Sequence, residues 1–421
     1  MSEKQAKAER QDQTRILMSR RARTFAALRH PNYRLWFQGQ IVSLFGTWMQ
    51  TTAQGFLIYE LTHSPAYLGY VGFASGVPGW LLTLYGGVVA DRMSRRSLLV
   101  ITQSAMMIFA FILAALTFLH VVQPWHIVAL SFMLGTANAF DAPARQSFVG
   151  EMVDRDDLTN AIALNATMFH TATAIGPAMA GITYALFGPA WCFTINGLSF
   201  IAVIAALRMM KLKPQEFHHD SNSGKLYFKE GISYVIHHDL IRVLIAIVAL
   251  NSWFTLSMAT LIPAWAVTVL KGNATTNGFL ISARGLGSLM GALVIASLGR
   301  ITYRGKLVMF GSFLAPVLLI VFAIFQWLPV SLVIIAGIGL GTIMVMNLAN
   351  AMVQTSTPEH LRGRVMGAYT WIFFGFMPIG ALWCGEIATR FGLAQAVAIN
   401  GFLSLAAALV LWVFFPKIRR Q

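Results

Sequence analysis

The sequence predicts an all-α membrane protein with twelve transmembrane helices in two pseudo-symmetric six-helix bundles. Three observations predict it. Of the 421 residues, 57% are hydrophobic and only 11% charged, with a mean hydropathy of +0.64. A soluble domain carries roughly 25% charged residues, and one soluble core does not keep growing to this size. Apolar stretches of membrane-spanning length follow one another with short polar breaks. Small motifs of the first half also recur in the second at a single offset.

In order, the predicted spans fall near 34–59, 65–90, 97–119, 125–146, 158–186, 190–210, 241–270, 275–299, 306–326, 329–356, 363–389 and 393–415. Alternating segments of about ten residues, the mark of a transmembrane barrel, do not occur. Cys192 and Cys384 lie inside different spans and are expected to be free buried thiols.

The 31 basic residues exceed the 16 acidic ones, giving a net charge of +15. All of the basic residues except Lys271, Arg390 and the intramembrane Arg284 fall in the tails or in alternate loops. That asymmetry places both termini in the cytoplasm. It also accounts for the charge without nucleic acid, since anionic lipid faces those loops. The charged segment 1–33 is expected to be a cytoplasmic tail and not a cleavable signal, because the first span is too long.

The longest polar break, 211–240, separates bundle 34–210 from bundle 241–421 with its short cytoplasmic tail. Across it, Gly176 and Gly181 recur 204 residues on as Gly380 and Gly385. Phe187-Gly188 recurs as Phe391-Gly392, and Ile195-Asn196-Gly197 as Ile399-Asn400-Gly401. Two repeated six-span halves suit a transporter that rocks around a midplane site. Within the break, Phe228, Ile232, Val235 and Ile236 recur at helical spacing. This predicts an amphipathic helix on the cytoplasmic membrane face. The pairs His218-His219 and His237-His238 lack further ligands that would make a metal site.

After the second span the chain reads Gly87-Val-Val-Ala-Asp91-Arg92-Met-Ser94-Arg95-Arg96. The glycine permits close helix packing, and the aspartate at a helix end can bias one packed state through its charge. This loop resembles the signature of the major facilitator superfamily, with Ser94 where that family usually has glycine. The second-half copy keeps Gly291 and Gly299-Arg300 but lacks the acid. Gly176-Pro177 with Gly181 resembles the antiporter motif of exporters in the same superfamily. Pro143-Ala-Arg145-Gln-Ser-Phe148-Val149, Asp157-Leu158-Thr-Asn160-Ala161 with Asn165, and Asn32-Tyr33-Arg34 resemble its transmembrane secretion effector group. Tyr59-Glu60-Leu61-Thr62, Lys229-Glu230-Gly231 and Asp239-Leu240-Ile-Arg242 fit the same group. The resemblance implies the major facilitator fold, a gating role for Gly87, Asp91, Arg92, Arg95 and Arg96, and efflux across a prokaryotic inner membrane.

Gln40, Ser43, Thr47, Gln50 and Gln54 recur at three- and four-residue steps on the first span. Polar side chains there avoid lipid and face a bundle interior or a wet cavity. Asn251 and Thr255, Asn347 and Asn350 with Gln354, and Arg284 are the other cavity candidates, with Trp48, Phe56, Trp253, Met258 and Met346 as apolar wall. Interhelical hydrogen bonding is the other reading of the amides. His170, Asp141 and Glu386 are the candidates for proton coupling, with Glu60 near the outer end of its helix. Proton antiport is implied by the resemblance alone, as no motif carries it. No catalytic constellation, metal site or nucleotide loop is seen, so no cofactor is expected.

The expectation is therefore a monomeric secondary transporter. It would export a hydrophobic or amphipathic small molecule, drug- or siderophore-like, by proton-coupled alternating access. A facilitator-type importer and a non-transporting scaffold or sensor remain the alternatives.

Overall fold

A computed structural model describes residues 25–212, 224–298 and 303–415, without the side chains of Leu84, Asp91 and residues 224–229. Every regular element among them is helical. The long ones in the first half are α1 (Pro31–Thr62), α2 (Pro65–Arg92), α3 (Arg95–Phe118), α4 (Pro124–Phe148), α5 (Leu158–Phe187) and α6 (Pro189–Met209). The second half has α7 (Asp239–Val269), α8 (Ala274–Ser297), α9 (Arg304–Ile324), α10 (Leu328–Ser356), α11 (Glu359–Phe391) and α12 (Leu393–Phe414). Between the halves lies a linker helix, Gly224–His237.

Nine of these helices are long and apolar enough to cross a membrane. The other three are α1, with its row of amides and hydroxyls, the glycine-rich α2, and the threonine-rich α5. Proline opens α1, α2, α4 and α6, where its missing N–H and fixed φ cost nothing.

The helix contacts repeat at an offset of six. α2 packs on α4 as α8 packs on α10, and α3 packs on α6 as α9 packs on α12. Between the halves, α5 lies along α8 and α11 along α2. The glycines at the 204-residue offset do matching work. A Cβ on Gly176 would sit 2.7 Å from the Trp48 Cβ, and Gly380 stands against the backbone of Trp253. Gly181 abuts Ala274 and Thr275 across one seam, and Gly385 abuts Pro65 and Gly69 across the other. Gly188 and Gly392 both end their helices at positive φ, +88° and +91°. Their N–H groups close the last turn onto Tyr184 and Ala388. Glycine reaches that backbone region without strain.

All five positive-φ residues, His63, His120, Gly188, Lys271 and Gly392, lie at one end of the molecule, here called the turn end. The linker helix and the described chain's first and last residues lie at the other, the linker end. There the chain before α1 is fastened in place. Ala27 N–H donates to Asn160 Oδ1 (3.0 Å), and the Tyr33 hydroxyl donates to the Ala161 carbonyl (2.8 Å) and Asn165 Oδ1 (3.3 Å). His30 meets Asp157, and Asn32 exchanges two hydrogen bonds with the Lys211 backbone. The expected tail thus already belongs to the folded unit from residue 25. The rest of it, like His218, His219, Gly299 and Arg300, lies outside the described residues.

The linker helix docks on protein, with Gly231 against the Arg364 backbone of α11 and Glu230 paired with Arg364. Val235 is buried and Ile232 packs beside it, while Ile236 is exposed and the Phe228 side chain lies outside the described residues. An apolar face needs covering, and here α11 covers it.

Candidate functional site: a cleft between the halves

The seam between α2 and α11 is tight toward the turn end and open toward the linker end. On α2, Gly69 and Gly72 meet Ala381, and Gly76 meets Pro378 of α11. One turn further, Trp80 packs on Gly375 and its ring lies 5.5 Å from that of Trp371. Beyond this pair the helices part. Among the described residues, Gly79 and Gly87 of α2 and Gly363 and Gly367 of α11 have no neighbour within 4 Å of where a Cβ would stand. A cavity of about 240 Å³ opens here, lined by Gly79, Thr83, Met366, Gly367, Thr370, Trp371 and Phe374. Its wall is aromatic and thioether with two hydroxyls, chemistry that suits amphipathic organic molecules.

The α5–α8 seam closes the same half. Gly181 meets Ala274, Gly278 meets the Pro177 carbonyl, and Gly285 meets Thr173 and Ala174. Small residues let the backbones touch, as membrane helices require when lipid and side chains are equally apolar. His170 lies one turn beyond the last of these contacts, partly buried beside Phe169.

α7 borders the cleft with an irregular backbone. It makes a π-helical turn at Asn251–Leu256 and another at Trp265–Val269. Such turns release backbone groups and recur at functional sites. Trp253 in the first turn packs on Phe376 (5.5 Å), leaving its indole N–H buried without a partner. Asn251 Nδ2 is likewise unpartnered, whereas Thr255 reaches Ser404 at 3.2 Å.

The polar row of α1 divides. Asn196 of α6 donates to Gln50 Oε1 (2.6 Å), and Gln54 donates to Ser131 of α4 (2.5 Å). Thr47 is exposed and donates to the Ser43 carbonyl one turn back. Gln40 and Ser43 are buried, with Gln40 Oε1 unpartnered. Gln50 and Gln54 thus join helices within the first half, the hydrogen-bonding alternative to a cavity wall. On α10, Asn347 and Gln354 are exposed seven residues apart and Asn350 accepts from Gln354. Trp48 packs on Phe169, Phe56 on Tyr184, and Met258 is buried. The Met346 carbonyl accepts from Tyr369.

Replacing Gln50 by leucine is therefore expected to cost stability and not to alter substrate choice. The loss should be about 0.6–1.7 kcal/mol, the range for hydrogen bonds between membrane helices. Thermal melting in detergent together with a panel of transported compounds checks this. A changed panel at unchanged stability would count against it.

The loop after α2 is pinned by its arginines. Arg95 pairs with Glu151 at 2.6 Å, and Arg96 donates to the Arg208 (2.6 Å) and Met210 (3.3 Å) carbonyls at the end of α6. A cation there meets the negative end of the helix. Ser94 caps α3, accepting from Ser97 N–H at 3.1 Å, in an extended conformation with φ −60° that needs no glycine. Arg92 is exposed, and the Asp91 side chain lies outside the described residues.

The titratable candidates are scattered. Asp141 is buried among Thr102 (2.9 Å), Gln103 (2.8 Å) and Arg145 (3.6 Å), between α3 and α4. Glu386 pairs with Arg390 at 2.8 Å, and Glu60 accepts from Tyr184. His170 alone of these has no hydrogen-bond partner among the described residues, which also hold no cluster of metal-ligating side chains. The sequence reading missed Trp80, Trp371, Phe374 and Thr370 of the cleft, the partnership of Asn196 with Gln50, and Asn277. The aromatic run from Trp371 to Phe376 was visible, but a run names no face.

The chain matches the family model described as transmembrane secretion effector over residues 22–420. It is 23% identical to a staphyloferrin A transporter of Staphylococcus aureus, covering 92% of this chain and 97% of the relative. It is 26% identical to the enterobactin exporter EntS of Shigella flexneri, with 93% of each covered. Against the multidrug efflux pump Tap of Mycolicibacterium fortuitum the identity is 24%, over 89% of this chain and 93% of Tap. Among solved structures, a bacterial homolog of the human lysosomal transporter Spinster, inward-facing and unoccupied, superposes with a TM-score of 0.73 at 10% identity. That match covers 92% of this chain and 98% of the other, and shows the fold.

Proposed function

We infer the function from one premise: this chain belongs to the transmembrane secretion effector family. It is a membrane transporter and not an enzyme. We propose that it exports a hydrophobic or amphipathic small molecule, drug- or siderophore-like, across the inner membrane. The relatives support export: one is named as an enterobactin exporter and another as a multidrug efflux pump. The observation that carries the mechanism is the seam, closed by backbone contact at the turn end and parted at the linker end. Alternating access needs such a seam to close at one end as it opens at the other.

In the proposed topology twelve helices span the bilayer, six on each side of the linker 211–240. The basic loops support a cytoplasmic linker end with both termini on that side, and on that reading the state described is inward-open. Solute would enter between α2 and α11 over Trp80, Trp371 and Phe374 and leave once the glycine seams part. The loop from Gly87 to Arg96 lies where the cleft must shut, with Gly87 facing the gap.

Protons are the proposed driving ion, and His170 the group that carries them. Asp141 and Glu386 are engaged with arginine partners on their own helices, whereas His170 stands free at the edge of a moving seam. A histidine can change charge within the physiological range. In proteoliposomes, an imposed pH gradient should drive accumulation of a lipophilic fluorescent dye by the native protein. His170→Asn should abolish that accumulation while leaving dye exchange at zero gradient intact. Gradient-driven transport by His170→Asn at the native rate would remove His170 from coupling, and no transport by the native protein would overturn export.

A further inference from the structure

α8 carries a partly exposed cation with no ion-pair partner among the described residues. Arg284 lies ten residues into the helix, about 15 Å from the turn end at 1.5 Å per residue. That is half the thickness of a hydrocarbon core of roughly 30 Å. Its Nε is out of solvent's reach and has no hydrogen-bond partner among the described residues. No carboxylate there pairs with it either: Asp141, Asp157, Asp239, Glu151, Glu230, Glu359 and Glu386 each pair with another cation, and Asp154 and Asp156 are exposed in the loop before α5. Glu60 is held by Tyr184.

The side of α8 that bears Arg284 is interior. Phe279, Leu286, Met290 and Leu293 form the exposed face. At 3.6 residues per turn Arg284 points nearly the opposite way. Its neighbour Gly285 touches α5, and Ser288, one turn on, donates to the Gly339 carbonyl of α10 at 3.2 Å. Arg284 keeps partial exposure, and it does so on the side of α8 away from that apolar exposed face. On the same face two turns toward the turn end lies Asn277, 1% exposed, with both amide atoms unpartnered. Arg284 Nε and both atoms of the Asn277 amide, buried and without a hydrogen-bond partner among the described residues, thus share one face of the helix. Unmet groups of this kind are costly in a protein interior, and a transported solute can meet them.

We propose that Arg284 and Asn277 form the anion-accepting part of the transport path and that the exported solutes include organic carboxylates. The inference rests on the exporter reading above and names the substrate class for it. Arg284 stands beside Gly285, the contact of the α5–α8 seam nearest the linker end described above, so a carboxylate arriving from the linker end would meet the guanidinium before the seam. A planar guanidinium takes both carboxylate oxygens at once. When the α5–α8 seam parts, Asn277 is uncovered two turns further along and offers an amide to the solute's hydroxyl or carbonyl groups.

The test uses the purified full chain and two probes of one shape, 1-naphthoate and its neutral isostere 1-naphthamide. The native protein should bind the carboxylate at least about tenfold more tightly. Arg284→Gln should bring the two within about twofold, and Arg284→Lys should fall between, because an ammonium lacks the planar fork. Arg284→Met serves if the glutamine variant does not fold. Equal binding of the probes by the native protein, or binding of neither, overturns the proposal, as does a preference that survives in Arg284→Gln. Export of a neutral dye by the same preparation separates the two readings. If the dye moves and the carboxylate has no advantage, only the anion site falls; if nothing moves, export falls.

Discussion

Gly278→Leu is expected to stop transport while leaving a folded, inserted protein. In the state described, the position of a Cβ on Gly278 is already taken by the Pro177 carbonyl, with the Gly181 Cα 3.1 Å away. A leucine there must push α5 from α8 along the whole closed end. Overpacking of this kind costs about 1–3 kcal/mol, and the cost falls only on the state in which the seam is shut. A shift of that size moves a two-state equilibrium roughly 5–150-fold toward the state in which α5 and α8 have parted. Efflux at matched abundance should drop accordingly, and a cysteine placed at Ser282 should become reactive toward an impermeant maleimide from the turn end. Native efflux by Gly278→Leu would show that this seam does not govern the cycle.

Gly188→Ala and Gly392→Ala should act the other way, lowering stability and sparing the cycle. Both glycines hold φ near +90° with ψ 170° and 160°, a region that costs other residues of order 1–3 kcal/mol. Each lies in a turn outside the seams, and the two belong to different halves, so the losses should add. Melting temperature in detergent should fall for each variant and further for the pair, while transport per folded molecule holds. An unchanged melting temperature for either alanine would mean that the turn adopts another conformation at no cost.

Much of this was legible in the sequence because length and apolarity decide where a membrane helix runs. The helices start and stop within a few residues of the expected spans, and the 204-residue offset marks glycines that do equal jobs in both halves. The residues that carried the family resemblance also gained a physical role: Asn32, Tyr33, Asn160 and Asn165 fasten the start of α1 to α5 and to the chain after α6. What stayed hidden was partnership. Periodicity shows that Gln50 and Gln54 share a region of α1 with Gln40 but not that α6 and α4 supply their partners. It shows an apolar face on the linker helix but not that α11 covers it. The first π-helical turn of α7 packs against α11 and α12, partners that local sequence does not name. Nothing in the sequence around Asn277 sets it apart; its buried, unmet amide does.

The glycine seams have a thermal consequence. A contact made by a leucine or a methionine must freeze rotamers each time it forms, at about 0.5–2 kcal/mol of entropy per side chain. Gly69, Gly181, Gly278, Gly285 and Gly385 have no rotamers to freeze, and their partners across the seams are largely carbonyl oxygens and Cα atoms. Closing such a surface orders almost nothing that was disordered when it was open. The balance between the two faces of the cycle should therefore shift little with temperature, so that warming changes how fast the halves rock far more than where they rest.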